Sequence, residues 1–308
     1  MFRYFLYRLA AVIPVLFGVS IAVFVMVRLV PGDPVQLMFT NQPLPSPARL
    51  EEIRHQLGLD LPIWKQYLNY LTGVLQGDFG QSIRSRQPVF EEIVQRLPNT
   101  LRLTFASLAV AITVGILAGV LSAVYKGRWI DKVSMVVSIL GISIPGFWFG
   151  LMIMLLFGVR LEWLPVSGAT SWKHLVMPAI TLGLISSAII ARLTRASMLD
   201  ALGQDYVRTA RAKGLRGSTV VTRHALRNAF IPVVTIIGLQ IGGLLSGAFI
   251  IETVFAYPGV GQLAVTALQA RDFPVIQGIV LMVAAIYVCV NLLADLVYGF
   301  LDPRIQYS

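Results

Sequence analysis

Long apolar stretches, each about as long as a helix that crosses a lipid bilayer, constrain this sequence more than any other feature. A membrane-spanning helix needs about 20 mostly apolar residues. The stretches that qualify lie at 9–30, 101–124, 133–158, 175–193, 230–251 and 275–300. Charged residues make up only 13% of the chain and apolar residues 56%, which leaves too few charges to cover a water-facing surface. We therefore predict an all-α, polytopic membrane protein with six transmembrane helices.

The distribution of Lys and Arg predicts the orientation of these helices. Six spans place both termini on one side, and that side carries most of the basic residues, in the termini, in 125–132 and in 194–229. Acidic and basic residues nearly cancel in 31–100, 159–174 and 252–274. Because Lys and Arg concentrate in cytoplasmic loops, we expect cytoplasmic termini. The net charge of +10 then needs no nucleic-acid partner to explain it.

The polar segment 31–100 is predicted to form a small helical region outside the cytoplasm. Ser46-Pro47 is a typical helix start, and Gly58 a typical stop. A second amphipathic pattern covers 63–75, and a third covers 89–97 and ends at Pro98. This segment is either a cap on the bundle or a platform for a substrate-delivering partner. The domain order is then 1–30 with the first span, 31–100, and a five-helix core over 101–308 that contains the cytoplasmic loop 194–229.

Two groups of residues are candidates for a pathway or gate through the membrane. Pro145 removes a backbone hydrogen bond and is expected to kink the third span beside Ser143 and Phe147. Gly238 and Gly242 have the four-residue spacing that allows close helix approach. Ordinary bundle packing is the alternative for both groups.

The connection 194–229 contains the most specific pattern in the chain. A helix over 205–213 would place Tyr206, Thr209, Ala210 and Lys213 on one face. Gly214 is predicted to end this helix in the left-handed conformation. By composition alone, such a basic loop could simply satisfy the positive-inside rule or contact anionic lipid.

This loop resembles the coupling loop of ABC importer permeases, in the branch that carries dipeptides, oligopeptides, glutathione and nickel. The matching positions are Arg208, Thr209, Ala210 and Gly214. Arg208 replaces the glutamate of the general pattern and Thr209 its first alanine, which are departures typical of this branch. Further similar stretches are 31–34, 56–60, 77–80, 163–165, 252–261 and 302–305.

The resemblance implies a type I ABC importer permease fold in the bacterial inner membrane, as the N-terminal-type permease of a pair. It implies four kinds of partner: a second permease, two cytoplasmic ATPases, an extracytoplasmic substrate-binding protein and a peptide substrate. Membrane lipid surrounds the spans. Coupling to the ATPases falls to Asp205, Tyr206, Arg208, Thr209, Ala210, Arg211, Ala212, Lys213 and Gly214.

The chain is not expected to be an enzyme or to bind a cofactor. It has no Gly-x-x-x-x-Gly-Lys-Ser/Thr phosphate loop, so the resemblance assigns ATP and Mg to the partner ATPases. It also has no His-Glu-x-x-His metal motif. A nickel or nickel-chelate importer is the alternative cargo class, and an ion-coupled secondary transporter is the remote one. Asp295, an acid deep in the last span, is interpreted as structural.

Overall fold

The computed structural model describes residues 2–29, 34–37, 45–56 and 58–301, without the side chains of 2–9, 34, 37, 56 and 293–301. Within these residues the regular structure is helical, apart from an isolated bridge between Gln81 and Pro88. The helices are α1 Phe2–Arg28, α2 Pro34–Leu37, α3 Pro47–Gln56, α4 Ile63–Leu75, α5 Val89–Val124, α6 Trp129–Ser143, α7 Gly146–Ile153, α8 Lys173–Leu202, α9 Asp205–Ala212, α10 Gly217–Thr219, α11 Leu226–Val254, α12 Val260–Ala270 and α13 Phe273–Leu301. A π-helical turn, Met154–Arg160, extends α7, and another, Val220–Ala225, joins α10 to α11.

Within the described residues, five continuous helical segments are long and apolar enough to cross a membrane, and the count is six if a bent pair of helices forms one broken span. The five are Ala10–Arg28, Val89–Val124, Lys173–Leu202, Gly217–Val254 and Phe273–Leu292. The pair, Trp129–Ser143 and Gly146–Arg160, is bent by 106°. The all-α, polytopic prediction is confirmed, with the third span broken more sharply than a kink.

Pro145 explains the position of this break. It has no N–H to donate, and its ring disfavours a helical conformation in the residue before it. Ile144 accordingly has an extended backbone, with φ −78° and ψ 128°. The helix resumes at Gly146 in a new direction.

The expectation that a third short helix stops at Pro98 was wrong. Helix α5 continues through Pro98 to Val124 and so unites the predicted 89–97 helix with the second span. Two hydrogen bonds hold the chain just after the proline: Asn99 Nδ2 donates to the Pro258 carbonyl (2.9 Å), and the Val260 N–H donates to Thr100 Oγ1 (2.9 Å). These contacts between distant segments offset the one backbone hydrogen bond that proline removes.

The chain divides into two compact units. The first contains residues 1–98 and 262–289, and the second contains 99–261 and 290–308. In the first unit, the carboxylate of Asp272 accepts hydrogen bonds from Ser82 Oγ (2.6 Å) and the Arg84 N–H (3.2 Å). In the second, α5, α7, α8 and α11 share an apolar core that includes Leu103, Ile153, Met177, Leu244, Ile251 and Phe255.

Within the second unit, small residues bring α5 and α8 into close contact. A Cβ atom at Gly119 would lie 2.5 Å from the Cβ of Thr194, and one at Gly115 would lie 2.7 Å from that of Ile190. These distances are too short for any side chain, so these two glycines serve helix packing.

Some predicted features lie outside the described residues. Segments 31–33 and 302–305, which belong to the stretches of family resemblance, lie outside the residues that the structure describes. Asp295 lies in α13, in the part of that helix whose side chains are not described.

Candidate functional site: the loop between α8 and α11

Two residues separate the end of α8 from the start of α9. Gln204 precedes it with an extended backbone (φ −76°, ψ 153°), and the Val207 N–H donates to its carbonyl (3.0 Å). Asp205 places a negative charge in the first turn, where the unpaired N–H groups of a helix favour it. The sequence therefore defines the start of α9 by a change in backbone direction and an acidic first turn.

A Schellman motif ends α9. The Gly214 N–H donates to the Arg211 carbonyl (2.9 Å), and the Leu215 N–H donates to the Ala210 carbonyl (3.3 Å). Gly214 has φ +76°, which confirms the predicted left-handed stop. A Cβ atom at this position would meet nothing within 4 Å. The requirement for glycine is thus conformational and not a matter of space.

The inner face of α9 is anchored to the loop itself. Val207 and Ala210 are buried against Val220, with Leu202 packed beside them. Ala210 was expected on the same face as Tyr206 and Thr209, but those two side chains are exposed and Ala210 is not. An eight-residue helix is too short to be stable alone, so this small apolar cluster holds it in place.

The outer face of α9 is polar and basic. Its exposed residues, together with those that follow the helix, are Asp205, Tyr206, Arg208, Thr209, Arg211, Ala212, Lys213, Gly214, Leu215 and Arg216. Arg208 Nη1 lies 3.3 Å from Asp205 Oδ1, but both side chains are largely solvated, so this pair contributes little to stability. Eight of the nine predicted coupling residues are exposed, and Ala210 is the buried one.

A second apolar cluster connects the loop to the helices behind it. Ala123 at the end of α5, Met198 and Ala201 on α8, and Ala225 and Ala229 around the start of α11 are all buried together. The π-helical turn containing Val220 continues into α11 without a break. The packing of the loop is therefore continuous with the ends of α8 and α11.

A partly buried ion pair connects α6 and α8 near the same cluster. Arg195 on α8 donates from Nε and Nη2 to the two carboxylate oxygens of Asp131 on α6, at 2.7 and 2.9 Å. Ser122 Oγ on α5 and the Gly127 N–H donate to the same carboxylate. Asp131 is 4% exposed. From the sequence, Asp131 and Arg195 are predicted only as charges of the basic segments that contain them. The single acid among the basic residues of 125–132 is the signal that could have indicated the pair.

Comparison with known families identifies the chain. The family described as binding-protein-dependent transport system inner membrane component matches residues 111–307, and the N-terminal part described for such membrane components matches residues 1–104. The chain belongs to this family. It is therefore a multi-pass membrane component of a transport system that works with other components, and not an enzyme.

Curated relatives match the permease over its whole length. The glutathione transport system permease protein GsiC of Escherichia coli strain K12 is 45% identical over 308 residues, covering 100% of both chains. The protein of the same name from Shigella dysenteriae serotype 1 gives the same values.

Solved structures show the type I ABC importer permease fold. An inward-facing structure of the MetNI methionine ABC transporter matches with a TM-score of 0.59 and 18% identity, covering 68% of this chain and 96% of that one. A crystal structure of an amino acid ABC transporter with histidines matches with a TM-score of 0.55 and 17% identity, covering 68% and 94%.

The predicted pathway residues of the permease fall on two elements. Ser143 ends α6, Pro145 precedes α7, and Phe147 lies in its first turn with half of its surface exposed. Gly238 and Gly242 lie one turn apart on α11. The first group therefore coincides with the 106° break, and a pathway role for either group stays a prediction.

Proposed function

We propose that this chain is one of two permease subunits that form the pathway of an ATP-driven importer for peptides, including glutathione. The supporting observation is the 45% identity to a glutathione permease along the full length of both proteins. An extracytoplasmic binding protein delivers the substrate, and two cytoplasmic ATPases supply the energy. A nickel or nickel-chelate cargo is the alternative within the same transporter class.

Residues 205–214 couple this permease to one of the ATPases. Three features of the loop support this role: α9 ends sharply at Gly214, presents an exposed basic face, and rests on a buried cluster that leads into α8 and α11. The ATPase contacts the exposed face and moves α9. Because Val207 and Ala210 are packed against Val220, α9 carries the start of α11 with it, and the membrane helices change their arrangement.

The function is tested by reconstitution of the complete transporter in liposomes. With the second permease, both ATPases and the binding protein present, radiolabelled glutathione or a dipeptide should accumulate only when ATP is supplied to the ATPase side. Uptake of a nickel chelate without uptake of peptide would move the chain to the alternative cargo. Substrate movement by this chain alone, without ATP, would favour a secondary transporter and contradict the proposal.

The same proposal places the loop and both termini in the cytoplasm, following the distribution of basic residues. A reporter fused after Tyr70 should be active outside the cytoplasm, and one fused after Gly217 should be active inside it. Both reporters on the same side would contradict this topology.

A further inference from the structure

Helix α4, in the first unit, has three distinct faces. One contacts α1 through Gln66, Tyr67 and Tyr70. A second exposes large apolar side chains: Trp64 is 61% exposed, Leu68 49% and Leu75 78%. At about 100° per residue these three positions fall within roughly 40° of one another around the helix axis. This exposed strip borders the face that contacts α1.

The third face of α4 is polar and lies roughly 90° around the helix from the apolar strip, on the side away from α1. Lys65, Asn69, Thr72 and Gln76 are exposed there. Thr72 Oγ1 donates to the carbonyls of Leu68 and Asn69, so its hydroxyl is satisfied within the helix. Lys65 Nζ lies 5.4 Å from the centre of the Trp64 ring, at the boundary between the apolar and polar surfaces. A helix of this kind fits an interface between hydrocarbon and water.

The contacts of α4 with α1 show how deep in the membrane it lies. They run along one stripe of α1: the Phe17 and Phe24 rings meet Tyr67, Ser20 Oγ is 2.8 Å from Tyr67 Oη, and Arg28 donates to Gln66 Oε1. Phe17 to Arg28 spans about 16 Å of helix at about 1.5 Å per residue. That is about half of a hydrocarbon layer roughly 30 Å thick.

These contacts lie inside the membrane-spanning window of α1, which is Ala10–Arg28. Ser20 is near the middle of that window, and Ile21 and Val25 next to the contact stripe are exposed apolar residues of the same span. Leu68 follows Tyr67 directly in the chain, so it lies at nearly the same depth as these α1 residues. The exposed side chains of Ile21, Val25 and Leu68 therefore lie at a similar depth.

We propose that α4 is embedded in the leaflet at the C-terminal end of α1, with Trp64, Leu68 and Leu75 in contact with lipid acyl chains. The polar strip of Lys65, Asn69 and Thr72 then faces the headgroups and water. The segment was expected to be either a cap or a docking platform, and this placement gives α4 a different partner. The inference requires only that α1 spans the membrane, so it is independent of cargo and of coupling.

Site-directed spin labelling of the assembled transporter tests this proposal. Cys289, the single cysteine of the chain, is replaced by Ser, and a nitroxide is attached at Leu68→Cys or, as the matched control, at its neighbour Asn69→Cys. Collisions with oxygen, which concentrates in hydrocarbon, and with a water-soluble nickel chelate are measured by power-saturation EPR. The vesicles contain phosphatidylethanolamine and phosphatidylglycerol.

The label at position 68 should collide severalfold more with oxygen than the label at 69, and severalfold less with the nickel chelate. Equal access of the chelate to both positions would place α4 in water and overturn the proposal. Low collision rates with both probes at 68 would show that protein covers this face, such as the second permease or the binding protein, and would overturn it as well. The pair Trp64→Cys and Thr72→Cys repeats the comparison where the first pair does not assemble.

Discussion

Helices α4 and α9 both lie outside the long spans, yet they expose opposite kinds of surface. In α9 the apolar residues Val207 and Ala210 are buried and the exposed face is basic. In α4 no residue is fully buried, and the exposed strip contains Trp64 and Leu68. A charged face suits water or a polar protein partner, whereas an exposed apolar face needs hydrocarbon or an apolar protein surface. The amphipathic pattern of a helix therefore does not identify its partner. The structure shows which face is already buried, and this determines which face is left to contact a partner.

The largest expected effect concerns the partly buried ion pair between Asp131 and Arg195. Asp131→Asn keeps the size of the side chain but leaves Arg195 without its carboxylate. Loss of one partner from a buried pair costs about 3–5 kcal/mol, and the partial exposure of Arg195 places this case near the lower end. We expect a lower melting temperature in detergent and a loss of transport. Asp205→Asn, at the exposed pair with Arg208, is the control and should melt like the unaltered protein.

Overfilling the cluster beneath α9 comes next. Ala210→Trp forces a large ring between α9 and Val220, and overpacking of this kind typically costs about 1–3 kcal/mol. We expect ATP hydrolysis to stop responding to the loaded binding protein while the permease still inserts. Ala212→Trp is the matched control for stability, because Ala212 is exposed on the same helix and its substitution does not fill the cluster.

The Ala212→Trp substitution also tests whether the exposed face of α9 contacts the ATPase. Ala212→Trp leaves the internal packing intact but adds bulk to the face assigned to the ATPase, so it should weaken assembly with the ATPase without lowering the melting temperature. Thr72→Trp, on the polar side of α4, should change neither property. Equal loss of coupling from the α4 substitution would remove the distinction between the two helices.

The Schellman stop of α9 should give a smaller but clear effect. Left-handed backbone costs an ordinary residue about 1–2 kcal/mol, and a β-branched side chain resists it further. Gly214→Val should therefore uncouple hydrolysis from import, whereas Gly214→Asn should retain most coupling, because asparagine tolerates this conformation. Peptide import and ATPase stimulation are measured together.

The control for the two Gly214 variants is a comparable backbone change in another loop. Gly168 also has positive φ, at +104°, and lies in the 159–174 loop. Gly168→Val should leave the stimulation of ATP hydrolysis intact in the protein that reaches the membrane. Normal import by Gly214→Val would show that this loop is not the coupling element.

The smallest effect is expected from single charges on the exposed face of α9. Arg208→Ala removes an exposed ion pair with Asp205, and such pairs are worth under about 1 kcal/mol. Melting temperature should not change, and import should fall less than in Gly214→Val. A complete loss of import would mean that Arg208 makes a specific contact with the ATPase, and that the charge of α9 matters more than its shape.

The sequence by itself determined the features that depend on local pattern. Apolar length predicted the spans, and Pro145 predicted the site of the break, because the missing N–H acts on its own turn. Gly214 predicted the end of α9, because the left-handed conformation that glycine adopts is also a local property. Helices α3 and α4 begin where Pro47 and Ile63 were expected. Nothing in these predictions required a contact between distant residues.

Only the tertiary structure decided the features that depend on such contacts. Pro98 does not stop α5, because Asn99 and Thr100 are held by residues about 160 positions away in the chain. The burial of Ala210 depends on Val220 beyond the loop turn, and the role of Asp131 depends on Arg195 across the bundle. Periodicity shows that a helix has an apolar face, but the partner of that face is fixed by which distant segment packs against it.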